Sequence, residues 1–221
     1  SIGQELPMTI LSLDTYEVEL PLRHTFEIAH GKHETQRSLI VALGDGTCTG
    51  YGEGSAVSYY GMTAAAMRAA VERVRAEVTT TELDEPSAWH ARIAPLLADN
   101  PFALCALDQA AHDLWGKRLA QPTWQLWGLD RSTVPKSDYT IGIADIPTME
   151  RKLDEEPGWP IYKIKLGRPD DLEILAALRA RTHAVFRVDA NCGWTADQTI
   201  RNSHRLAELG VEFIEQPLPI E

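Results

Sequence analysis

Four ionisable residues near the end of the chain carry its strongest chemical signal. Lys163 and Lys165 stand two apart in the run Pro160–Leu166. Residues two apart on a strand point the same way, so both ammonium groups share a face. Asp189 follows the apolar run Ala184–Val188, and Glu215 closes the run Val211–Glu215. The steps from Lys163 to Asp189 and from Asp189 to Glu215 are equal, 26 residues each. Taken singly, each has a plainer reading. A Lys-Ile-Lys strand is often an edge strand with solvated lysines. An acid after a strand is often a helix N-cap or turn former. Together they set amines against a carboxylate pair at equivalent strand ends. Carboxylate oxygens at Asp189 and Glu215 suit Mg²⁺. Such a site can remove the proton on a carbon next to a carboxylate: a lysine takes the proton and Mg²⁺ stabilises the enediolate charge. Repulsion between two lysines on one face is expected to lower the ammonium pKa and free an amine base.

The elements that must hold these residues alternate. Tyr139–Ile143, Pro160–Leu166, Ala184–Val188 and Val211–Glu215 read as strands. Helices read from near Pro147, over Asp170–Arg181 and over Thr195–Leu209. Such alternation predicts a parallel sheet, and in a (β/α) barrel the C-terminal strand ends build the active site. The first part of the chain reads differently. Thr9–Leu20, Ser38–Leu43 and Thr47–Glu53 suggest a small antiparallel sheet, with Asp45-Gly46 as its hairpin turn. The polar stretch His30–Arg37 reads as a loop between strands, and Gly54–Met62, with Tyr59 and Tyr60, as another. Helices are expected over Thr63–Val78, Glu85–Ala98 and Pro101–Leu119, with a short fourth ended by Gly128. The expected organisation is an α+β capping domain over residues 1–134. An α/β domain over 135–221 would follow, holding the first four strands of a (β/α) TIM-like barrel.

Bulk properties narrow the function. The 221 residues carry a formal net charge of -11, which argues against nucleic-acid binding. Cys48, Cys105 and Cys192 form no CxxC or disulfide framework. With no run of about 18 apolar residues and no secretory leader pattern, a cytoplasmic location is expected. No Walker A, HExxH, GxSxG or GxGxxG context is present. His30, Lys32 and His33 would offer positive charge to a substrate carboxylate; the plainer alternative is that they are solvated.

These segments resemble the muconate-cycloisomerase-like branch of the enolase superfamily, and within it the dipeptide epimerases. The resemblance covers nearly the whole chain. Its most specific parts are Lys163-Ile164-Lys165-Leu166-Gly167, Arg187-Val188-Asp189-Ala190-Asn191 with Gly193-Trp194-Thr195, and Ile214-Glu215-Gln216-Pro217. Thr25-Phe26-Glu27-Ile28-Ala29 and Gly50-Tyr51-Gly52-Glu53 with Tyr60-Gly61 look like the family's two specificity loops. Ala106-Leu107-Asp108-Gln109-Ala110 is similar to the central capping helix. Tyr139-Thr140-Ile141-Gly142-Ile143 looks like the first barrel strand. The resemblance implies Lys165 as acid/base catalyst, Lys163 as its electrostatic partner, Asp189 and Glu215 as Mg²⁺ ligands, and Thr140 and Tyr60 near substrate. The implied reaction is epimerisation of a dipeptide, an alanyl-glutamate type favoured. N-acylamino-acid racemisation, o-succinylbenzoate synthesis and muconate cycloisomerisation are the alternatives, and an inactive binding or scaffold fragment is one from another class. The expected partner is a small-molecule carboxylate, with a homo-oligomer allowed and neither nucleic acid nor membrane. Family members run about four βα units past Glu221, where a third metal carboxylate and a second catalytic lysine are expected. The 221 residues alone are therefore expected to be inactive.

Overall fold

The computed structural model describes residues 10–28 and 31–219, so His30 lies outside the described residues. The chain divides into two compact units. One is Ser1–Pro21 with Thr35–Thr133; the other is Leu22–Glu34 with Val134–Glu221.

One sheet orders β1 (Ser12–Ile28), β2 (Gly31–Gly44) and β3 (Thr49–Ser55), and the first unit holds β1 up to Pro21, β2 from Thr35 and all of β3. β2 and β3 pair antiparallel around the Asp45-Gly46 turn. The turn holds because Asp45 Oδ1 accepts the Thr47 and Cys48 amide N–H groups at 2.8 Å each, while Gly46 takes φ 90°. Five helices follow: α1 (Ala64–Arg73), α2 (Arg75–Thr80), α3 (Pro86–Ile93), α4 (Pro101–Arg118) and α5 (Thr123–Leu126). Thr63, Glu85 and Asn100 cap α1, α3 and α4 by accepting amide N–H groups of the first turn. Leu39, Val41 and Leu43 of β2 join Met67, Val71, Ile93, Leu107 and Leu114 in one buried core.

Two expectations change here. The stretch His30–Arg37 is not a loop where it is described, because β2 already runs from Gly31. Polar cross-strand pairs replace the apolar pattern that would have announced a strand: Glu19 accepts hydrogen bonds from Thr35 at 2.9 Å and Arg37 at 3.0 Å. The single helix over Thr63–Val78 is two helices. Val74 leaves helical geometry at φ -104°, ψ 10°, and Arg75 beside it reaches the Leu13 carbonyl and Glu72.

On its core face β3 meets α4 through glycine backbone alone. Gly50, Gly52 and Gly54 lie opposite Leu43, Val41 and Leu39, on the core face. A Cβ on Gly50 would come within 2.2 Å of the Ala110 carbonyl oxygen. On Gly52 it would come within 1.9 Å of the Ala106 carbonyl oxygen. α4 also completes the strand's hydrogen bonding. Tyr51 N–H donates to Asp113 at 2.8 Å, Glu53 N–H to Gln109 at 3.1 Å, and Lys117 donates to the Thr49 carbonyl at 2.8 Å. The pitches match: two strand residues advance about 6.6 Å and four helix residues about 6 Å. Replacing Gly52 with alanine is expected to cost at least about 3 kcal/mol, since helix backbone rather than a flexible side chain must move. Denaturant unfolding against Gly31→Ala, where a Cβ meets nothing within 4 Å, measures it; equal stability of the two variants would show that α4 can yield.

The second unit is a four-stranded parallel sheet in the order β4 (Tyr139–Ile141), β5 (Ile161–Lys165), β6 (Val185–Asp189), β7 (Val211–Glu215). Helices α6 (Ile146–Glu155), α7 (Asp171–Arg179) and α8 (Ala196–Glu208) connect them, so this unit is the first part of a (β/α) barrel. Asp145 caps α6, and Thr195 with Gln198 forms a capping box on α8. Tyr162, Ile164, Phe186 and Val188 bury against Met149, Ile174, Leu178 and Leu206. Strand alternation then sends Lys163, Lys165 and Asp189 to the opposite face. Leu22–Glu34 belongs to this unit through its own bonds: the Glu27 carbonyl accepts Ile143 N–H at 2.9 Å, and Arg23 and His24 pair with Glu156 and Glu155 at 2.9 and 2.7 Å.

Candidate active site

Parallel register sets the site. Lys165 lies beside Asp189 in the β5–β6 pair, and Asp189 beside Glu215 in the β6–β7 pair. Three strand ends thus present three ionisable groups in one row. Lys163, two residues back on β5, reaches the same carboxylates. Lys165 Nζ lies 2.6 Å and Lys163 Nζ 3.3 Å from Asp189 Oδ2, and Lys163 Nζ lies 2.6 Å from Glu215 Oε2. Asp189 Oδ1 accepts the Asn191 amide N–H at 2.9 Å. The cluster is shielded: Lys165 is 9% and Asp189 1% exposed. The ring of Phe26 faces the Lys165 ammonium at 6.0 Å.

Charge balance differs from the expectation built on the two lysines alone. Burial acts to lower the Lys163 pKa, but its bonds to Glu215 and Asp189 outweigh burial and raise it above the ordinary value. The like charge next door does not free Lys163 as an amine, because two carboxylates hold it as an ammonium. Asp189 is the mirror case. Burial pushes its carboxyl up, while Lys165, the Asn191 amide and Lys163 pull it further down, for a net lowering.

The strand ends are also strained. Asn191, Cys192 and Gln216 have φ of 45°, 61° and 41°. Left-handed backbone at non-glycine residues persists only where surroundings enforce it, and it gathers at functional sites. Here Ala190 N–H bonds the Glu215 carbonyl at 3.1 Å, Cys192 N–H the Gln216 carbonyl at 2.7 Å, and Trp194 N–H the Pro217 carbonyl at 3.0 Å.

A divalent cation fits this donor set. The Lys163 ammonium already bridges the Asp189 and Glu215 carboxylates as a cationic stand-in. Asn191 Oδ1 is buried with no hydrogen-bond partner, a further oxygen donor two residues from Asp189. Oxygen-only donors suit Mg²⁺, which often takes one or two protein carboxylates and fills the rest with water and substrate. Among the described residues no third acidic, histidine or cysteine side chain completes a cluster with them.

The other residues singled out from sequence fall elsewhere. Thr140 on β4 pairs in register with Lys163 and so shares its face. Lys32 and His33 are exposed on β2, and as strand neighbours they face opposite sides. Tyr60 is exposed in a one-turn helix, Ser58–Tyr60, against Tyr59 and Phe102 of its own unit. Sequence reasoning gave no separate part to Asn191. The signal for Asn191 was its position two residues after Asp189.

Residues 10–128 match the family described as "Mandelate racemase / muconate lactonizing enzyme, N-terminal domain", and residues 148–221 match "Enolase C-terminal domain-like". The chain is 46% identical over 208 residues to an L-Ala-D/L-amino acid epimerase of Maribacter, an alignment covering 94% of this chain and 60% of that protein. Its fold superposes with TM-score 0.85 on a substrate-liganded L-Ala-D/L-Glu epimerase from Bacillus subtilis, at 25% identity, covering 96% of this chain and 62% of that one. It superposes with TM-score 0.86 on a dipeptide epimerase from Enterococcus faecalis complexed with Mg and the dipeptide L-Leu-L-Tyr, at 28% identity, covering 96% and 62%. The chain therefore spans about 60% of the length of the relatives it matches. Among the described residues no helix is long and apolar enough to cross a membrane.

Proposed function

This chain belongs to the mandelate racemase / muconate lactonizing enzyme family of the enolase superfamily, and from that membership we propose that the protein epimerises dipeptides. The observation that carries the reading is the row Lys165–Asp189–Glu215 at adjacent parallel strand ends, with the Lys163 ammonium drawn into it. The epimerases of Maribacter, Bacillus subtilis and Enterococcus faecalis support this class of substrate.

In this reading Asp189 and Glu215 hold Mg²⁺. When bound, Mg²⁺ supplies Lewis-acid stabilisation of the charge that develops on the substrate carboxylate. Lys165 exchanges the α-proton. Its shielded position excludes water, which strengthens each charge interaction in the site. Lys163 adds positive charge beside the reacting centre and leaves proton transfer to Lys165. Thr140, on the Lys163 face, and one of Lys32 and His33 are proposed substrate contacts.

The test is proton exchange. The intact protein with Mg²⁺ in D₂O is expected to place deuterium at one α-carbon of L-Ala-L-Glu and of hydrophobic dipeptides, while giving both epimers. Exchange confined to N-succinylamino acids would instead favour the N-acylamino-acid racemase alternative. Absence of exchange from every dipeptide and acylamino acid tried would refute the reading.

A further inference from the structure

We propose that Asp171 is a positioning residue for the proposed Mg²⁺ and proton-transfer site, tying together the three strand ends that carry Lys165, Asp189 and Glu215. This rests on the functional reading above. Asp171 opens α7 and is 2% exposed. An acid at a helix start ordinarily serves the helix dipole from the surface, where burial costs it nothing. Asp171 is buried and does something else. Its carboxylate accepts the Gly167 N–H at 2.9 Å and the Arg168 N–H at 2.9 Å, both in the segment just after Lys165. It also accepts the Trp194 indole N–H at 2.7 Å, from the segment after Asp189. Gly167 takes φ 131°, which aims its N–H at Asp171 in a backbone shape that suits glycine.

Trp194 passes the connection on. Its side chain is bound to Asp171, and its backbone N–H bonds the Pro217 carbonyl, two residues past Glu215. Between these anchors lie the left-handed residues Asn191, Cys192 and Gln216. Strained backbone needs surroundings that enforce it, and one buried carboxylate with three N–H donors on two loops provides them. The burial of Asp171, which pushes its carboxyl up even against those N–H bonds, is a cost the fold accepts at this point. Groups that orient metal ligands from behind usually change affinity or activity by about 10- to 100-fold when altered.

The experiment uses the intact protein and the variants Asp171→Asn, Trp194→Phe and their combination. Asparagine keeps the size but turns an N–H₂ donor toward N–H groups. Mg²⁺ affinity is measured by calorimetry, kcat and KM with L-Ala-L-Glu, and thermal unfolding without Mg²⁺. Asp171→Asn is expected to weaken Mg²⁺ binding by about 10- to 100-fold and to lower kcat comparably, with little change in KM. Trp194→Phe should move both in the same direction by less, and the double variant should be no worse than Asp171→Asn. A variant that only loses thermal stability, with Mg²⁺ affinity and kcat unchanged, would show a brace of the fold and overturn the positioning role. If Asp171→Asn does not fold, Trp194→Phe decides, and normal Mg²⁺ affinity and kcat in it overturn the role. An unaltered protein that neither binds Mg²⁺ nor exchanges an α-proton would overturn the functional reading and this role with it.

Discussion

Replacing Lys165 with alanine is expected to remove exchange of the α-proton with solvent from at least one substrate epimer, a loss of about 10²–10⁴-fold. Lys165 is the shielded amine at the end of β5, 2.6 Å from Asp189. The other amine of the cluster, Lys163, lies between Asp189 and Glu215 and is held in its charged form by them. Lys165→Arg should fail almost as badly, because guanidinium keeps the charge but does not give up its proton near neutral pH. The check is deuterium incorporation from D₂O, followed separately from each epimer. Full incorporation from both epimers in Lys165→Ala would dismiss Lys165 as the base.

The second large effect is expected from Asp189→Asn. This carboxylate is 1% exposed, and one of its oxygens faces two ammonium groups. Among the described residues it is the ion-pair partner of Lys165. Removing its charge leaves a buried lysine uncompensated, which typically costs about 3–5 kcal/mol of stability. It also removes the more buried of the two proposed Mg²⁺ ligands. Unfolding by urea and Mg²⁺ calorimetry should both register the change. Glu215→Gln should lose Mg²⁺ binding with a smaller stability loss, because the Glu215 side chain is 38% exposed. Wild-type Mg²⁺ affinity in Asp189→Asn would remove Asp189 from the metal site.

Much of this site was legible because its logic is periodic. Apolar strand, polar tip and helix recur at one interval, so Lys163, Asp189 and Glu215 announced both the parallel sheet and their own meeting at one end of it. The hairpin at Asp45-Gly46 was legible for a local reason, a turn that only certain residues make. Other features depend on distances that spacing does not contain. Lys163 reads from sequence as a lysine repelled by its neighbour, yet Glu215 lies 2.6 Å from it and reverses the sign. Asp171 reads as an ordinary helix opening, since its three donors come from loops before the helix and one strand further on. The start of β2 is hidden because Thr35 and Arg37 satisfy it with polar bonds to Glu19 rather than with an alternating apolar face. Family resemblance pointed to the segments that carry Lys163, Lys165, Asp189 and Glu215 and gave no part to Asp171.

The glycine face of β3 bears on how the first unit reaches its fold. A hairpin strand can mispair by one residue at small local cost, which turns every side chain to the wrong side. Here such a slip would present Tyr51 and Glu53 where Gly50 and Gly52 meet the carbonyls of Ala110 and Ala106. A slip of two would bring Ala56 to the place of Gly54, or Cys48 to that of Gly50, each a position where a Cβ meets a neighbour under 3 Å away. Only one alignment sets glycine at all three places. α4 therefore fits a correctly paired hairpin and clashes with a shifted one.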